Sequence, residues 1–342
     1  MRVTDHPTFR RYWYPVVPSP ALGTDAPVPF TLLGQPIVLW RGPDGAPAAA
    51  IDRCCHRTAK LSKGWVTGGE IVCGYHGWQY ATDGRCTKVP QAKDQTREPK
   101  FRIAAYPTSE RYGYVWVCLD ADPLASIPDI AEADSDGFRV IQEFYEVWGC
   151  AGLRVMENSF DNAHFSFVHR GSFGDQGHPE PARLTIDEFD GGFVMRSDVP
   201  VKNPEIQKKV LRMDQAETVR HMTATWFLPF ARKLHIRYPN GLIHIIVTIA
   251  TPIDDATSQI CQFVVRNDTE ADAKAEDIIA FDRQVTGEDK DILESTEFDV
   301  PLDQNSGLEF HMPSDKPGLL MRRQLADLLA REEGHKVVEA AE

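Results

Sequence analysis

No apolar run in this chain is long enough to span a bilayer: the longest, Leu242 to Ala250, is short and contains His244. No membrane association is expected. The first residues, Met1 to Pro7, carry no apolar h-region, so no signal peptide is expected either. Positive charge is in deficit, 37 Lys and Arg against 50 Asp and Glu, and the net charge of −13 argues against non-specific nucleic-acid binding. Cysteine is sparse and odd in number, seven in 342 residues. Without an export signal, that fits a reducing cytoplasm, where cysteines bind metal or pack. A Gly-x-Gly-x-x-Gly nucleotide fingerprint and a plant-type ferredoxin cysteine run are both missing. There are no internal repeats and no low-complexity segment beyond a short acidic tail.

What is present suggests two domains, or one large one, with ample core. Residues 7 to 36 are proline-rich, and loop with short strands is expected there. From Pro36 to Val117, short β-rich runs alternate with turn signals, as in a small antiparallel β domain. Asp120 to Gly137 is acidic with two prolines and reads as a linker. Beyond it, Phe138 to Leu153 looks like strand and Met156 to His169 like helix. Strand-like runs follow at 193–195, 219–227, 234–238, 242–250 and 259–265. Helices are expected over Ala271 to Thr296 and Gly318 to Arg331. A sheet wrapped around a long helix makes the second domain α+β. The expected boundaries are therefore 1–137 and 138–342.

Two clusters carry chemistry. Cys54-Cys55-His56 and Cys73-Gly74-Tyr75-His76 give Cys-x-His and, sixteen residues on, Cys-x-x-His. Two thiolates and two imidazoles at tight-turn spacing suit zinc or a mixed-ligand iron–sulfur centre. Each pair sits between β-like runs, as two loops at one end of a small β domain would, and Gly74 and Gly77 allow backbone to approach cluster sulfurs. Cys86, Cys118, Cys150 and Cys261 are expected to pack. The second cluster lies in Glu157 to His169. Asp161 and His164, three apart, share a helix face. His164 and His169, five apart, lie about 140° round an ideal helix, so both reach one metal only if the helix is distorted or a side chain reaches back.

At the first cluster the sequence closely resembles the Rieske non-haem iron oxygenases, through Cys54, His56, Arg57 to Ser62, Cys73 and Tyr75 to Tyr80. The resemblance covers nearly the whole chain. It implies a [2Fe–2S] cluster with Cys54 and Cys73 on one iron and His56 and His76 on the other. Position 55 departs from the family, which usually has proline there; Cys55 is expected to pack. Asn158, Asp161, His164 and His169 match the family motif Asn-x-x-Asp-x-x-His-x4-His. His164 and His169 would then hold a mononuclear Fe(II), with one carboxylate still to be found. On the long helix, Ile278, Val285, Ile292 and Leu293 form one apolar stripe, and Asp289 lies in its middle. A carboxylate there is costly unless paired or metal-bound. Glu288 and Asp291 point elsewhere, and Asp282, on the same face two turns earlier, is the runner-up. Glu288-Asp289-Lys290 also resembles the third-ligand site of the family's demethylase branch.

The resemblance further implies a homotrimer in which Asp161 links the mononuclear site to His76 of a neighbouring subunit, with Asn158 near the iron. Electrons would come from NAD(P)H through a separate flavin/iron–sulfur reductase, because no nucleotide fingerprint or second cluster motif is on this chain. The homotrimeric branch contains phthalate-type ring hydroxylases, vanillate- and dicamba-type O-demethylases and methylxanthine N-demethylases; the nearest likeness is to the last. The expected activity is O₂-dependent demethylation or hydroxylation of a small N- or O-methylated (hetero)aromatic, with formaldehyde released on demethylation. A ring-hydroxylating dioxygenase and a non-enzymatic Rieske electron carrier are the alternatives. Trp226, Phe227, Ile236, Ile245, Val247, Phe263 and the Phe173 loop are candidate pocket walls.

Overall fold

A computed structural model describes residues 1–92, 99–203 and 205–339; the end of the acidic tail lies outside the described residues. The chain divides into two units, Val3–Ile127 and Pro128 onwards, the latter joined by Met1–Arg2. The segment expected to be a linker up to Gly137 thus belongs in part to the second unit. The reason is local: Ile130 is buried, and Glu132 forms an ion pair with Lys233 at 2.5 Å.

The first unit is antiparallel β. Its strands are β1 (Tyr14–Pro18), β2 (Val28–Leu32), β3 (Gln35–Arg41), β4 (Pro47–Ile51), β5 (Trp65–Thr67), β6 (Glu70–Val72), β7 (Gln79–Tyr80), β8 (Cys86–Lys88), β9 (Ala105–Tyr106), β10 (Thr108–Arg111) and β11 (Tyr114–Val117). They form three sheets, β1-β11-β10, β2-β3-β4-β9 and β5-β6-β7-β8. One core joins the last two: Val38, Trp40, Leu61, Ile71 and Tyr80 pack with Cys54 and Cys73, all at 2% exposure or less. Both predicted ligand cysteines are therefore rooted in packed interior. The loops that carry them leave β4 and β6.

The second unit is an α+β layer. Seven antiparallel strands, β12 (Arg139–Trp148), β13 (Leu184–Phe189), β14 (Gly192–Lys202), β15 (Glu217–Phe227), β16 (Ala231–Arg237), β17 (Ile243–Pro252) and β18 (Ser258–Arg266), run in the order β12-β18-β17-β16-β15-β14-β13. The helices are α1 (Gly152–Ser159), α2 (Phe165–Val168), α3 (Glu205–Leu211), α4 (Ala275–Leu293) and α5 (Lys316–Glu339). Helix α4 buries Ile278 and Phe281 against Ile141 and Val264 of the sheet. Its apolar stripe is interrupted at Ile292, which is 51% exposed, while Leu293 next to it is buried. Strand β13 and helix α3 are additions to the sequence reading. The first is an edge strand with little apolar signal, Leu184 and Ile186 alternating with polar residues; the second is only two turns long.

The expected single helix over Met156 to His169 is broken. Helix α1 stops at Ser159, where Phe160 takes φ −118°, ψ 5°. Asp161 Oδ1 then accepts the Ala163 N–H at 2.7 Å, a side-chain turn that replaces the helical ladder. The chain re-enters helix only for Phe165–Val168.

Candidate metal centres and substrate cavity

The two cysteine loops of the first unit share one hydrogen-bond design. In the first, Thr58 N–H donates to the Cys54 carbonyl at 3.1 Å and Cys54 N–H to the Ala59 carbonyl at 2.8 Å. In the second, Gly77 N–H donates to the Cys73 carbonyl at 2.9 Å and Cys73 N–H to the Trp78 carbonyl at 2.8 Å. Gly77 sits at φ +74°, a region that penalises any side chain. The loops bring the His56 and His76 rings to 4.7 Å between centroids, and His56 stacks on Trp78 at 4.6 Å. His56 Nδ1 is buried with no hydrogen-bond partner, which is what a metal-facing nitrogen looks like. The Cys73 thiol is raised by burial and by the neighbouring Cys54, against the lowering pull of the Tyr75 and His76 amides. Paired buried thiols beside a pair of imidazoles fit a mixed-ligand cluster. Tyr80 adds a feature that motif spacing did not signal: its hydroxyl lies 3.0 Å from Cys54 Sγ and 3.4 Å from Cys55 Sγ. Cys55 is exposed, not packed. Cys86, Cys118, Cys150 and Cys261 are buried and form no disulfide, as expected of packing residues.

In the second unit, the break after α1 solves the 140° problem. His164 and His169 Nε2 atoms come within 3.2 Å, and Asp289 Oδ1 from α4 lies 3.4 Å from each. Among the described residues this trio gathers three ligand atoms within 4.8 Å of one another. Asp289 Oδ1 is buried without a hydrogen-bond partner. Two imidazole nitrogens and a carboxylate oxygen converging on one point, with the carboxylate unsatisfied, fit a divalent metal of the two-histidine, one-carboxylate type. Asp282, the runner-up, is elsewhere in use. It faces His244 Nε2 at 3.3 Å, and burial together with the neighbouring Asp282 drives the carboxyl of Glu143 far above the usual range. Arg266 can only donate to His244 Nδ1, at 3.3 Å, so His244 carries its proton on Nε2, toward Asp282.

Glu288 does not point elsewhere. Its Oε2 accepts from His169 Nδ1 at 2.9 Å and from Ser172 Oγ at 2.7 Å. That bond fixes the proton on Nδ1 and leaves the Nε2 lone pair toward Asp289 and His164. Helix spacing hid this contact, because the turn after α2 comes to Glu288 rather than the reverse. A Cβ at Gly171 on that turn would meet Glu288 Oε1 at 2.8 Å and push the carboxylate aside. Asp161 Oδ2 lies 3.5 Å from His164 Nδ1, and its side chain is a third exposed.

A cavity opens beside the trio. Its apolar wall includes Phe173, Met222, Leu234, Ile236, Ile246 and Phe281; Asn158, Arg220, Arg232, His244, Gln262 and Asp282 supply polar groups. Of the candidate walls, Ile236 and Phe173 line it. Ile245, Val247 and Phe263 do not, because alternation along β17 and β18 sends His244, Ile246 and Gln262 to the cavity face instead. Trp226 and Phe227 lie too far along β15. Desolvation lowers the Arg232 guanidinium to about 10 against the pull of Asp289.

A two-loop cysteine–histidine cradle on one β unit and a histidine–carboxylate trio gripped by a sheet and helix on another define a Rieske-type oxygenase. Residues 12–107 match the Rieske [2Fe-2S] domain family and residues 148–331 the vanillate O-demethylase oxygenase C-terminal domain family. The chain belongs to the Rieske oxygenases with this catalytic domain. It is 31% identical over 336 residues to methylxanthine N1-demethylase NdmA of Pseudomonas putida, covering 96% of this chain and 90% of that one. The structure of Pseudomonas putida NdmA with caffeine superposes with a TM-score of 0.82 at 28% identity, covering 96% and 93% of the two chains. Dicamba monooxygenase bound to dicamba shares the fold, with a TM-score of 0.81 at 23% identity over 95% and 99%. Membership of an oxygenase family removes the non-enzymatic alternative. Among the described residues, no helix is long and apolar enough to cross a membrane.

Proposed function

We propose that this chain is the oxygenase component of a monooxygenase that demethylates or hydroxylates a small N- or O-methylated (hetero)aromatic. The observation that carries the reading is the convergence of His164, His169 and Asp289 at the mouth of a largely apolar cavity. In this reading these three hold Fe(II), and Cys54, His56, Cys73 and His76 hold a [2Fe–2S] cluster. The iron supplies O₂ activation beside the substrate, and the cluster stores an electron for it. The chain's own residues orient and shield. Glu288 holds His169 in one tautomer, the apolar wall excludes water, and Asn158 presents an amide beside His164. Electrons reach the cluster from NAD(P)H through a separate flavin/iron–sulfur reductase. The protein works as a cytoplasmic homotrimer, with Asp161 joining the iron site to His76 of a neighbouring copy; the free third of the Asp161 side chain supports this.

The test is turnover with a compatible reductase, NADH, and a panel of methylated purines, methoxybenzoates and unmethylated aromatics, following oxygen uptake and formaldehyde together. Formaldehyde matching the oxygen consumed for one class is the expected result. A diol or hydroxylated product without formaldehyde moves the enzyme to the ring hydroxylases. An iron-replete protein with active reductase that turns over no member of the panel defeats the proposal.

A further inference from the structure

The cavity holds two arginines whose surroundings differ. Arg232 donates to the Ser159 carbonyl at 3.3 Å and to Thr248 Oγ1 at 3.1 Å, with Asp289 nearby. Arg220, on β15, faces the same cavity and is only 7% exposed. Among the described residues its guanidinium has no hydrogen-bond partner, and no carboxylate oxygen lies within 4.0 Å. Its guanidinium lies over the Phe173 ring, 4.5 Å from Cζ to the ring centroid. Phe173 in turn stacks on the His169 imidazole at 4.7 Å. A cation stripped of water and left without a counter-ion is costly, and an aromatic face offsets only part of that. The carboxylates of the cavity are committed elsewhere, Asp282 to His244 and Glu143, and Asp289 to the metal trio. Packing does not demand arginine here, since its inward neighbours on the strand are Met222 and Ala224. What the position offers is a five-donor fork, one ring away from His169, with nothing to bind inside the protein.

We propose that Arg220 is the anion-recognition residue of this cavity, and that the substrate is a small methylated aromatic carrying a carboxylate. The carboxylate seats on the guanidinium fork, and the ring lies along Phe173, Met222 and Ile236. This rests on the oxygenase reading above and narrows it. A methylxanthine carries no carboxylate, so the assignment separates this chain's substrate from those named for NdmA.

The experiment is calorimetric titration of the iron-loaded, oxidised protein without reductant, so that binding is read apart from turnover. The probes are 3-methoxybenzoate, 4-methoxybenzoate and N-methylanthranilate, each against its amide, with caffeine as a neutral comparison. At least one carboxylate is expected to bind about tenfold or more tightly than its amide, as for a charge-assisted hydrogen bond in a dry site. Arg220→Met is expected to remove that preference while keeping the visible spectrum of the cluster and the full iron content. Arg220→Lys keeps the charge but not the fork and is expected to retain part of it. If Arg220→Met does not fold, Arg220→Gln serves in its place. The proposal is overturned if no carboxylate outbinds its amide, or if the preference survives loss of the guanidinium. Formaldehyde release decides the broader reading separately: selective carboxylate binding without formaldehyde leaves the anion site standing and removes demethylation.

Discussion

Replacing Glu288 by alanine removes a side chain that touches no metal, yet it should weaken metal binding. The His169 Nδ1–Glu288 bond is 2.9 Å, the acceptor is a carboxylate oxygen, and the ring is almost fully buried. A hydrogen bond to a charged group contributes about 1.5–3 kcal/mol. Losing it frees the imidazole to place its proton on Nε2, where it blocks the lone pair, and leaves Ser172 Oγ without its carboxylate partner. The energy corresponds to roughly 10–150-fold in affinity, in line with the 10–100-fold typical of partners behind a metal ligand. Equilibrium dialysis of Fe(II) or Co(II) against protein with an intact cluster spectrum reads this directly. Glu288→Gln, whose amide oxygen can still accept, should lose less than Glu288→Ala. An Ala variant binding metal within twofold of wild type would show that His169 is held by packing on Phe173 alone.

Asp289→Ala should keep the Rieske spectrum but lose the second iron and all turnover; full iron content with activity intact would sink the assignment. Tyr80→Phe removes the hydroxyl 3.0 Å from Cys54 Sγ and should lower the cluster potential by about 20–60 mV, the equivalent of one hydrogen bond, in direct voltammetry. An unchanged potential would mean that the hydroxyl serves Cys55. Asp268 is buried, which raises its carboxyl, but hydrogen bonds and charge from Arg266 and Arg139 outweigh this and hold it below the ordinary value. Its contribution to stability is therefore complete above the unfolded carboxylate value, near pH 4, and lost as pH falls through the lower folded one. Acid titration of the melting temperature should show that loss in wild type, and a flatter acid limb in Asp268→Asn.

The ligand set was readable because metals demand particular side chains at particular spacings. Cys-x-His and Cys-x-x-His predict two loops, and two loops are found. The Asp289 choice over Asp282 came from a buried carboxylate within an apolar stripe. Both aspartates are in fact inward, and only the partners of Asp282 on β12 and β17 separate them; no helix pattern contains those strands. The break after α1 was legible as a necessity, not as a location, because the Asp161 turn that makes it looks like any helical aspartate. Pocket walls failed by one residue of register on β17 and β18, because the cavity face there carries His244 and Gln262, which a search for apolar walls passes over. Glu288 was missed because a helical wheel fixes directions from one helix only, and the contact is made by the approaching turn.

Helix α4 carries both Asp289 and Glu288, one facing the trio and the other bracing His169 from behind. A small slide or roll of α4 over the sheet therefore moves ligand and brace in step. The imidazole is steered by the same body that brings the carboxylate, so their mutual placement survives a displacement that would pull apart a centre assembled from independent elements. Thermal breathing of the sheet should thus be felt at the cavity wall before it is felt at the metal. The chain can re-shape its pocket through strands β15 to β18 while α4 keeps the chemistry in register.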